Sequence, residues 1–134
     1  MKQIKFLTLD EILYIHQDQI TRYGGVQGIR DFGLLQSAVA MPMAQFDGVY
    51  LHPDLNAMAS AYLFHITRNH PFIDGNKRAG VVSAIVFLKL NGVEISADES
   101  SLEEMVLSVA RGDIGKEKVA KYFMDNSSKT ILDE

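Results

Sequence analysis

The sequence predicts a compact all-α bundle of about six helices with one small β-hairpin inserted before the third helix. Apolar residues recur at helical spacing in six segments, and capping residues precede several of these segments. A chain of 134 residues with 47% hydrophobic content is long enough to bury one core. We therefore expect a single domain over residues 1–126 and a short, polar, frayed tail over residues 127–134.

Two helices are predicted in the first third of the chain. Thr8 and Glu11 form a capping box, and the apolar periodicity that follows them stops at Gly24. A second helix begins near Asp31 and ends before Pro42, because a residue that precedes proline disfavours helical angles. The glycines between these helices indicate a tight connection.

The hairpin and two longer helices follow. Residues 45–52, QFDGVYLH, place an Asp-Gly turn between apolar residues, which is typical of a small hairpin or a loop. Asp54 can cap a third helix that Pro71 interrupts. A fourth helix starts at Gly75 or Asn76 and runs to residue 90, and its apolar residues cover most of its circumference. We expect the fourth helix to be central.

Two further helices complete the prediction. Ser100 and Ser101 stand at capping-box spacing from two glutamates and predict a fifth helix that ends at Gly112. Residues 116–124 predict a sixth.

Composition excludes several classes of function. A net charge of -4 gives no general attraction to nucleic acid or to an anionic membrane surface. The absence of cysteine excludes disulfides, thiol nucleophiles and zinc-thiolate sites. Charged residues interrupt the N-terminal apolar stretch, and the apolar run over residues 79–90 is about half the length of a membrane span. We expect a cytoplasmic protein without direct contact to membrane or nucleic acid.

The chemistry is concentrated in residues 69–80, NHPFIDGNKRAG. A helix that begins at Gly75 or Asn76 exposes unpaired N–H groups and partial positive charge, which attract an anion. Lys77 and Arg78 fall in the first turn, where the helix dipole disfavours cations unless an anionic ligand is bound. Phosphate is the natural candidate, since lysine and arginine both bind its oxygens.

Two more residues of this segment suit phosphate chemistry. Asp74 can bind Mg²⁺, which commonly takes one or two carboxylates and completes its shell with phosphate and water. Histidine is the side chain whose ordinary charge change falls near neutral pH, which makes His70 a candidate to accept a proton from a hydroxyl. Phe72 alternates with these polar residues and should anchor the loop in the core.

Each residue also has a simpler interpretation. Asp74 can be a helix N-cap, and His70 can be an ordinary packed or surface histidine. Lys77 and Arg78 can be solvated surface charges. His16 reads as a core histidine, and the spacing of His65 from His70 is poor for two metal ligands on one helix face. The functional interpretation depends on the conjunction of these residues around one glycine.

The string HPFIDGNKR resembles the motif of the Fic family, written HPFx(D/E)GN(G/K)R. Lys77 stands where Fic adenylyltransferases usually have glycine, and Val81 stands where they have a second arginine, so the match is closer to the Doc (death on curing) branch. Residues 22–42 and 84–93 also look like Doc-type segments. The resemblance implies a helical bundle with a β-hairpin flap.

The resemblance also assigns roles to residues of this chain. It makes His70 the base that activates a target hydroxyl and Asp74 the Mg²⁺ ligand. The residues of the predicted nucleotide-phosphate cradle, which would bind ATP, are Gly75, Asn76, Lys77 and Arg78. The residues of the flap that would dock an extended target segment by strand addition are Asp47, Gly48, Val49, Tyr50 and Leu51.

Lys77 separates two chemistries within this resemblance. Its side chain should disfavour the pose in which the α-phosphate lies over the cradle, and Doc-type proteins transfer the γ-phosphate instead. The resemblance therefore implies a protein kinase that acts on a Ser or Thr hydroxyl, with elongation factor Tu as target and arrest of translation as outcome. A Fic-type protein adenylyltransferase and a non-catalytic binding module on the same scaffold are the alternatives.

Doc-type toxins are silenced by a Phd-like antitoxin with a disordered C-terminal segment, and the resemblance implies such a partner here. Fic proteins that silence themselves carry the motif (S/T)xxxE(G/N). The nearest string in this chain, residues 100–104, is followed by Met105 and so departs at the last position. The sequence therefore predicts inhibition in trans.

Overall fold

The computed structural model describes residues 3–129 and contains six α-helices and four short strands. The helices are α1 (Leu9–Tyr23), α2 (Phe32–Ala40), α3 (Leu55–Asn69), α4 (Asn76–Leu90), α5 (Glu99–Arg111) and α6 (Lys116–Asp125). The strands are β1 (Gln45–Phe46), β2 (Val49–Tyr50), β3 (Val93–Ile95) and β4 (Ser127–Lys129), and a 3₁₀ turn covers Met41–Met43. The predicted all-α bundle with one hairpin before the third helix is confirmed.

The caps explain most helix starts. The capping box of Thr8 with Glu11 is formed, and the carboxylates of Asp31 and Asp54 accept the amides of Leu34 and Ala57. The predicted cap of α5 is wrong. Its N-cap is Asp98, whose carboxylate accepts the amide of Ser101, so the helix begins two or three residues earlier than the two serines suggest.

Helices α3 and α4 form the centre of the bundle, with α1, α2, α5 and α6 around them. Phe87 on α4 is fully buried and packs against Tyr62 of α3, with ring centroids 5.2 Å apart. At the crossing of the two helices, a β-carbon on Gly80 would lie 2.7 Å from the hydroxyl of Thr67. This close approach fixes the start of α4 beside the end of α3, which is where the predicted site lies.

Of the two antiparallel sheets, the sequence predicted the first and not the second. Strands β1 and β2 pair Gln45 with Tyr50 around a two-residue turn, as predicted. Strand β4 pairs with β3, so residues 127–129 are ordered strand and the predicted frayed tail does not begin at residue 127. Isolated β-propensity did not reveal this pairing, because it is a long-range contact. Residues 130–134 lie outside the described part of the chain.

Within residues 3–129, no helix combines the length and the apolar character needed to cross a membrane.

Candidate active site

The loop between α3 and α4 carries His70 at its start and Asp74 near its end. His70 follows the last residue of α3 and has left-handed backbone angles, with φ of 50°, which carry a steric cost for a residue with a β-carbon. Its side chain is exposed, and its Nδ1 lies 3.5 Å from Asn76 Nδ2. A proton acceptor open to solvent at a helix end can reach a hydroxyl on another molecule.

Hydrogen bonds between Asn76 and Phe72 fix the conformation of the loop. Asn76 is buried, and its amide side chain accepts the Phe72 N–H at 3.0 Å and donates to the Phe72 carbonyl at 2.9 Å. The ring of Phe72 is buried, as predicted, and stacks on His16 with centroids 3.7 Å apart. The contacts of Asn76 are therefore those of a loop clamp beside His70, and its predicted contact with phosphate stays a prediction.

Asp74 presents an ionised carboxylate. Its Oδ2 accepts the Val26 N–H at 3.0 Å and its Oδ1 accepts the Gly75 N–H at 2.9 Å. These two hydrogen bonds, reinforced by the charge of Arg78, lower the pKa of Asp74. The N-cap of α4 is Gly75, so the simpler interpretation of Asp74 as the N-cap is wrong.

Glycines make room for this carboxylate and for the turn into α4. A β-carbon on Gly25 would lie 2.7 Å from Asp74 Oδ2, and one on Gly75 would lie 2.8 Å from Ile20. Both glycines have positive φ, which side chains rarely adopt. Close backbone approach, rather than flexibility, therefore explains the glycines on the two sides of Asp74.

The start of α4 retains the features of an anion site. No side chain caps its first turn, so its leading N–H groups have no partner of that kind. Lys77 is exposed, whereas Arg78 is partly buried and donates to the carbonyls of Gly24 at 2.9 Å and Gln19 at 3.4 Å. Arg78 thus caps the end of α1, and a phosphate would have to share its guanidinium with these carbonyls.

These residues fit Mg²⁺ and a nucleotide phosphate chemically. An ionised carboxylate, uncapped helix N–H groups and two cations form a suitable donor set. Within residues 3–129, no three His, Asp or Glu side chains form a cluster that could hold a metal. A Mg²⁺ ion at Asp74 would therefore take its other ligands from phosphate and water, as this ion commonly does.

The flap projects apolar side chains. The side chains of Phe46, Val49 and Leu51 are between 56% and 76% exposed, and Asp47 has left-handed angles in the turn before Gly48. Tyr50 faces the body of the protein, where its ring lies 5.8 Å from that of Phe6. An exposed apolar hairpin suits a protein ligand, and docking of a target segment there stays a prediction.

His52, directly after the flap, joins a cluster that the sequence did not reveal. The Lys116 ammonium lies 3.2 Å from His52 Nε2 and 3.3 Å from His65 Nε2, so it can donate to two neutral imidazoles. Burial, followed by the charge of Lys116, lowers the pKa of His65 to about 4 and also lowers that of His52. The cluster ties the flap to α3 and α6 while both imidazoles are neutral.

We expect this cluster to make the fold less stable in mild acid. The unfolded chain protonates His65 near its ordinary pKa of 6.5, whereas the folded chain does so only near 4. Between these values the unfolded state binds more protons, so the free energy of unfolding falls as pH falls. Because the site is only half-buried, we expect a loss on the order of 1 kcal/mol between pH 7 and pH 5.

Urea unfolding at pH 7 and pH 5 tests this expectation in wild-type chain and His65→Gln. The variant lacks the titrating group, so its loss on acidification should be smaller than that of the wild type, and other groups cancel in the comparison. Equal losses in the two proteins would show that His65 does not carry the effect.

Two contacts to the site come from residues that the motif does not contain. His16 donates from Nε2 to the Asp74 carbonyl at 2.8 Å, and burial lowers its pKa, so the sequence was right to place it in the core but missed its contact with the loop. Val26 supplies an amide to the Asp74 carboxylate. The glycines around Val26 were the available signal, since they indicated a tight connection without showing what it touches.

Comparison with known proteins agrees with this architecture. The model of the Fic/DOC family matches residues 6–88. This range contains α1, α2, α3, the motif and most of α4. Toxin Doc of Mycolicibacterium smegmatis (strain ATCC 700084 / mc(2)155) is 40% identical over 100 residues, which cover 73% of this chain and 77% of that protein. Protein kinase doc of Escherichia phage P1 is 31% identical over 117 residues, which cover 87% of this chain and 91% of that protein.

Proposed function

The chain belongs to the Fic/DOC family, among its Doc toxins, and on that premise we propose that it transfers the γ-phosphate of ATP to a protein Ser or Thr hydroxyl. The observation that carries this proposal is the exposed Lys77 in the uncapped first turn of α4, beside the ionised Asp74. A relative that is named a protein kinase supports the same choice over transfer of AMP.

The residues divide the work of such a transfer. His70 accepts the proton of the target hydroxyl, for which its exposed position is suited. Asp74 would hold Mg²⁺, and the first turn of α4 with Lys77 would hold phosphate oxygens. When bound, Mg-ATP would supply the phosphoryl group, and its metal ion would neutralise phosphate charge. Asn76 binds both backbone groups of Phe72, which lies between His70 and Asp74 in the chain, so this part of the loop is held before any ligand binds.

A transfer assay with labelled ATP tests the proposal. The chain is incubated with Mg²⁺, labelled ATP and a source of target protein. That source is either purified elongation factor Tu, which is the target that the resemblance implies, or a cytosolic extract. Label on a protein from the γ position alone is the expected result. Label from the α position alone would make the chain an adenylyltransferase, and the absence of both label and ATP binding would favour a non-catalytic binding module.

We also propose that a Phd-like antitoxin binds the groove between α1 and α4. This groove has a volume of about 440 Å³, and its floor is largely apolar, with Ile15, Val82 and Val86 among its lining residues. Asp10 and Asp18 are also among its lining residues. An amphipathic antitoxin helix with basic residues complements both features, since its apolar face can fill the groove while its cations meet the carboxylates.

We expect Val86→Glu to weaken antitoxin binding about 10- to 100-fold, because it buries a charge against the apolar face of the incoming helix. Leu107→Glu on α5 is the control, since it adds a carboxylate to an apolar helix position that does not line the groove. Copurification from cells that coexpress toxin and antitoxin reports the loss. Retention of the antitoxin by Val86→Glu at the level of the control would exclude this groove.

A further inference from the structure

Helix α3 ends without the usual glycine cap. Its last residue is Asn69, and the residue that follows, His70, has φ of 50° and ψ of 59°. The final carbonyls of a helix lack amide partners from the helix itself. Here the guanidinium of Arg30 takes their place, with Nη2 2.7 Å from the Asn69 carbonyl oxygen and Nε 2.5 Å from that of His70.

The backbone around Arg30 is fixed to the same loop. The amides of Arg30 and Asp31 both donate to the Pro71 carbonyl, at 2.7 and 3.0 Å. The Ile73 amide donates to the Gly28 carbonyl at 3.1 Å, and Ile29 and Phe72 form an antiparallel bridge. The connection between α1 and α2 therefore runs antiparallel to the motif at this single bridge, and it brings Arg30 to the end of α3.

The two carbonyls that Arg30 binds lie on the two sides of the His70 α-carbon. The Asn69 carbonyl belongs to the peptide plane before the α-carbon of His70, and the His70 carbonyl belongs to the plane after it. Rotation of these planes about that α-carbon is what φ and ψ measure. A guanidinium presents several donors in a rigid planar fork, so it can restrain both planes at once, whereas a lysine ammonium offers one point charge.

We propose that Arg30 is a positioning residue, which keeps His70 in its left-handed conformation and thereby directs the imidazole towards the target hydroxyl. The left-handed conformation costs a non-glycine residue about 1 kcal/mol or more, so it needs support from its surroundings. Two charge-assisted hydrogen bonds at the negative end of a 15-residue helix provide that support. The catalytic part of this inference rests on the proposed function.

A purely stabilising helix cap would have different consequences. Arg30→Lys keeps a positive charge at the end of α3 but cannot restrain both peptide planes, and Arg30→Gln loses the charge as well. If Arg30 positions His70, both variants should lower kcat about 10- to 100-fold and leave the KM for ATP nearly unchanged. If it only stabilises the helix, Arg30→Lys should retain kcat.

The experiment measures kcat, the KM for ATP and the backbone NMR signals of His70 in wild type, both variants and Arg111→Gln. The control removes an arginine from the last turn of another helix, α5, away from the motif. We expect the His70 signals to move away from left-handed values in both Arg30 variants and to stay in place in the control. Unchanged His70 signals, or a kcat that Arg30→Lys preserves, would overturn the proposal.

The NMR measurement separates this inference from the proposed function. If the wild-type chain transfers neither label, the proposed function fails, and the His70 signals still decide whether Arg30 sets the backbone conformation. A shift of these signals in both variants would then support the structural role of Arg30, and the absence of a shift would overturn it.

Discussion

His70→Ala is expected to lower the rate of phosphate transfer about 100- to 10,000-fold, the range typical of a general base. The exposed imidazole is the proton acceptor in the proposed transfer, and residues 69–80 contain no second histidine that could replace it. The loss should appear in kcat, with the binding of ATP preserved, because Asp74 and the first turn of α4 are untouched. The measurement is single-turnover transfer of γ-label.

His70→Gln is the matched variant, since it retains a polar side chain of similar length that cannot accept the proton. It should be as inactive as His70→Ala. Both should unfold at the wild-type urea concentration within experimental error, since the side chain is exposed. Substantial transfer by either variant would remove His70 from the role of base and leave positioning as the main source of catalysis.

Asp74→Asn is expected to lower transfer about 100-fold or more at moderate Mg²⁺ concentration, and added Mg²⁺ should recover part of the loss. The substitution removes the charge that attracts the metal. It also replaces one carboxylate oxygen by an NH₂ group, which is a donor. The N–H groups of Val26 and Gly75 each donate to one oxygen of this side chain. One acceptor is therefore lost where two donors need it.

The measurement for Asp74 is the dependence of transfer on Mg²⁺ concentration. Asp113→Asn is the control, because this exposed carboxylate pairs with Arg111 at the surface and lies outside the motif. We expect the control to follow the wild-type curve. An Asp74→Asn curve that matched the control would show that the metal is held elsewhere.

Local signals in the sequence were sufficient to identify the six helices and the motif, and most of the helix caps. Thr8, Asp31 and Asp54 act as caps in the structure, since capping is decided within four residues. The same local reasoning failed at α5, where Asp98 competes with two serines for one role. It could not detect the pairing of β3 with β4, which joins segments about 34 residues apart.

The candidate site divides in the same way. The sequence predicted that His70, Asp74 and the start of α4 lie together, because nine consecutive positions contain them. It could not show that Arg78 caps α1 or that Val26 donates to Asp74, since these contacts span 54 and 48 residues. The spacing of the motif shows which groups lie near each other. Contacts with distant parts of the chain determine which of their atoms already have a hydrogen-bond partner.

The attachment of the loop after α1 to the motif has a consequence for folding. Hydrogen bonds that close loops of 40 to 58 residues hold the loop before α4, among them those from Arg30 to His70 and from His16 to Asp74. Contacts of such sequence separation form late, after the local helices. The geometry of the candidate site should therefore appear only when the N-terminal segment docks, and amide hydrogen exchange at Val26 and Ile73 would report that step. A chain released before docking would contain every residue of the motif and still lack an organised site.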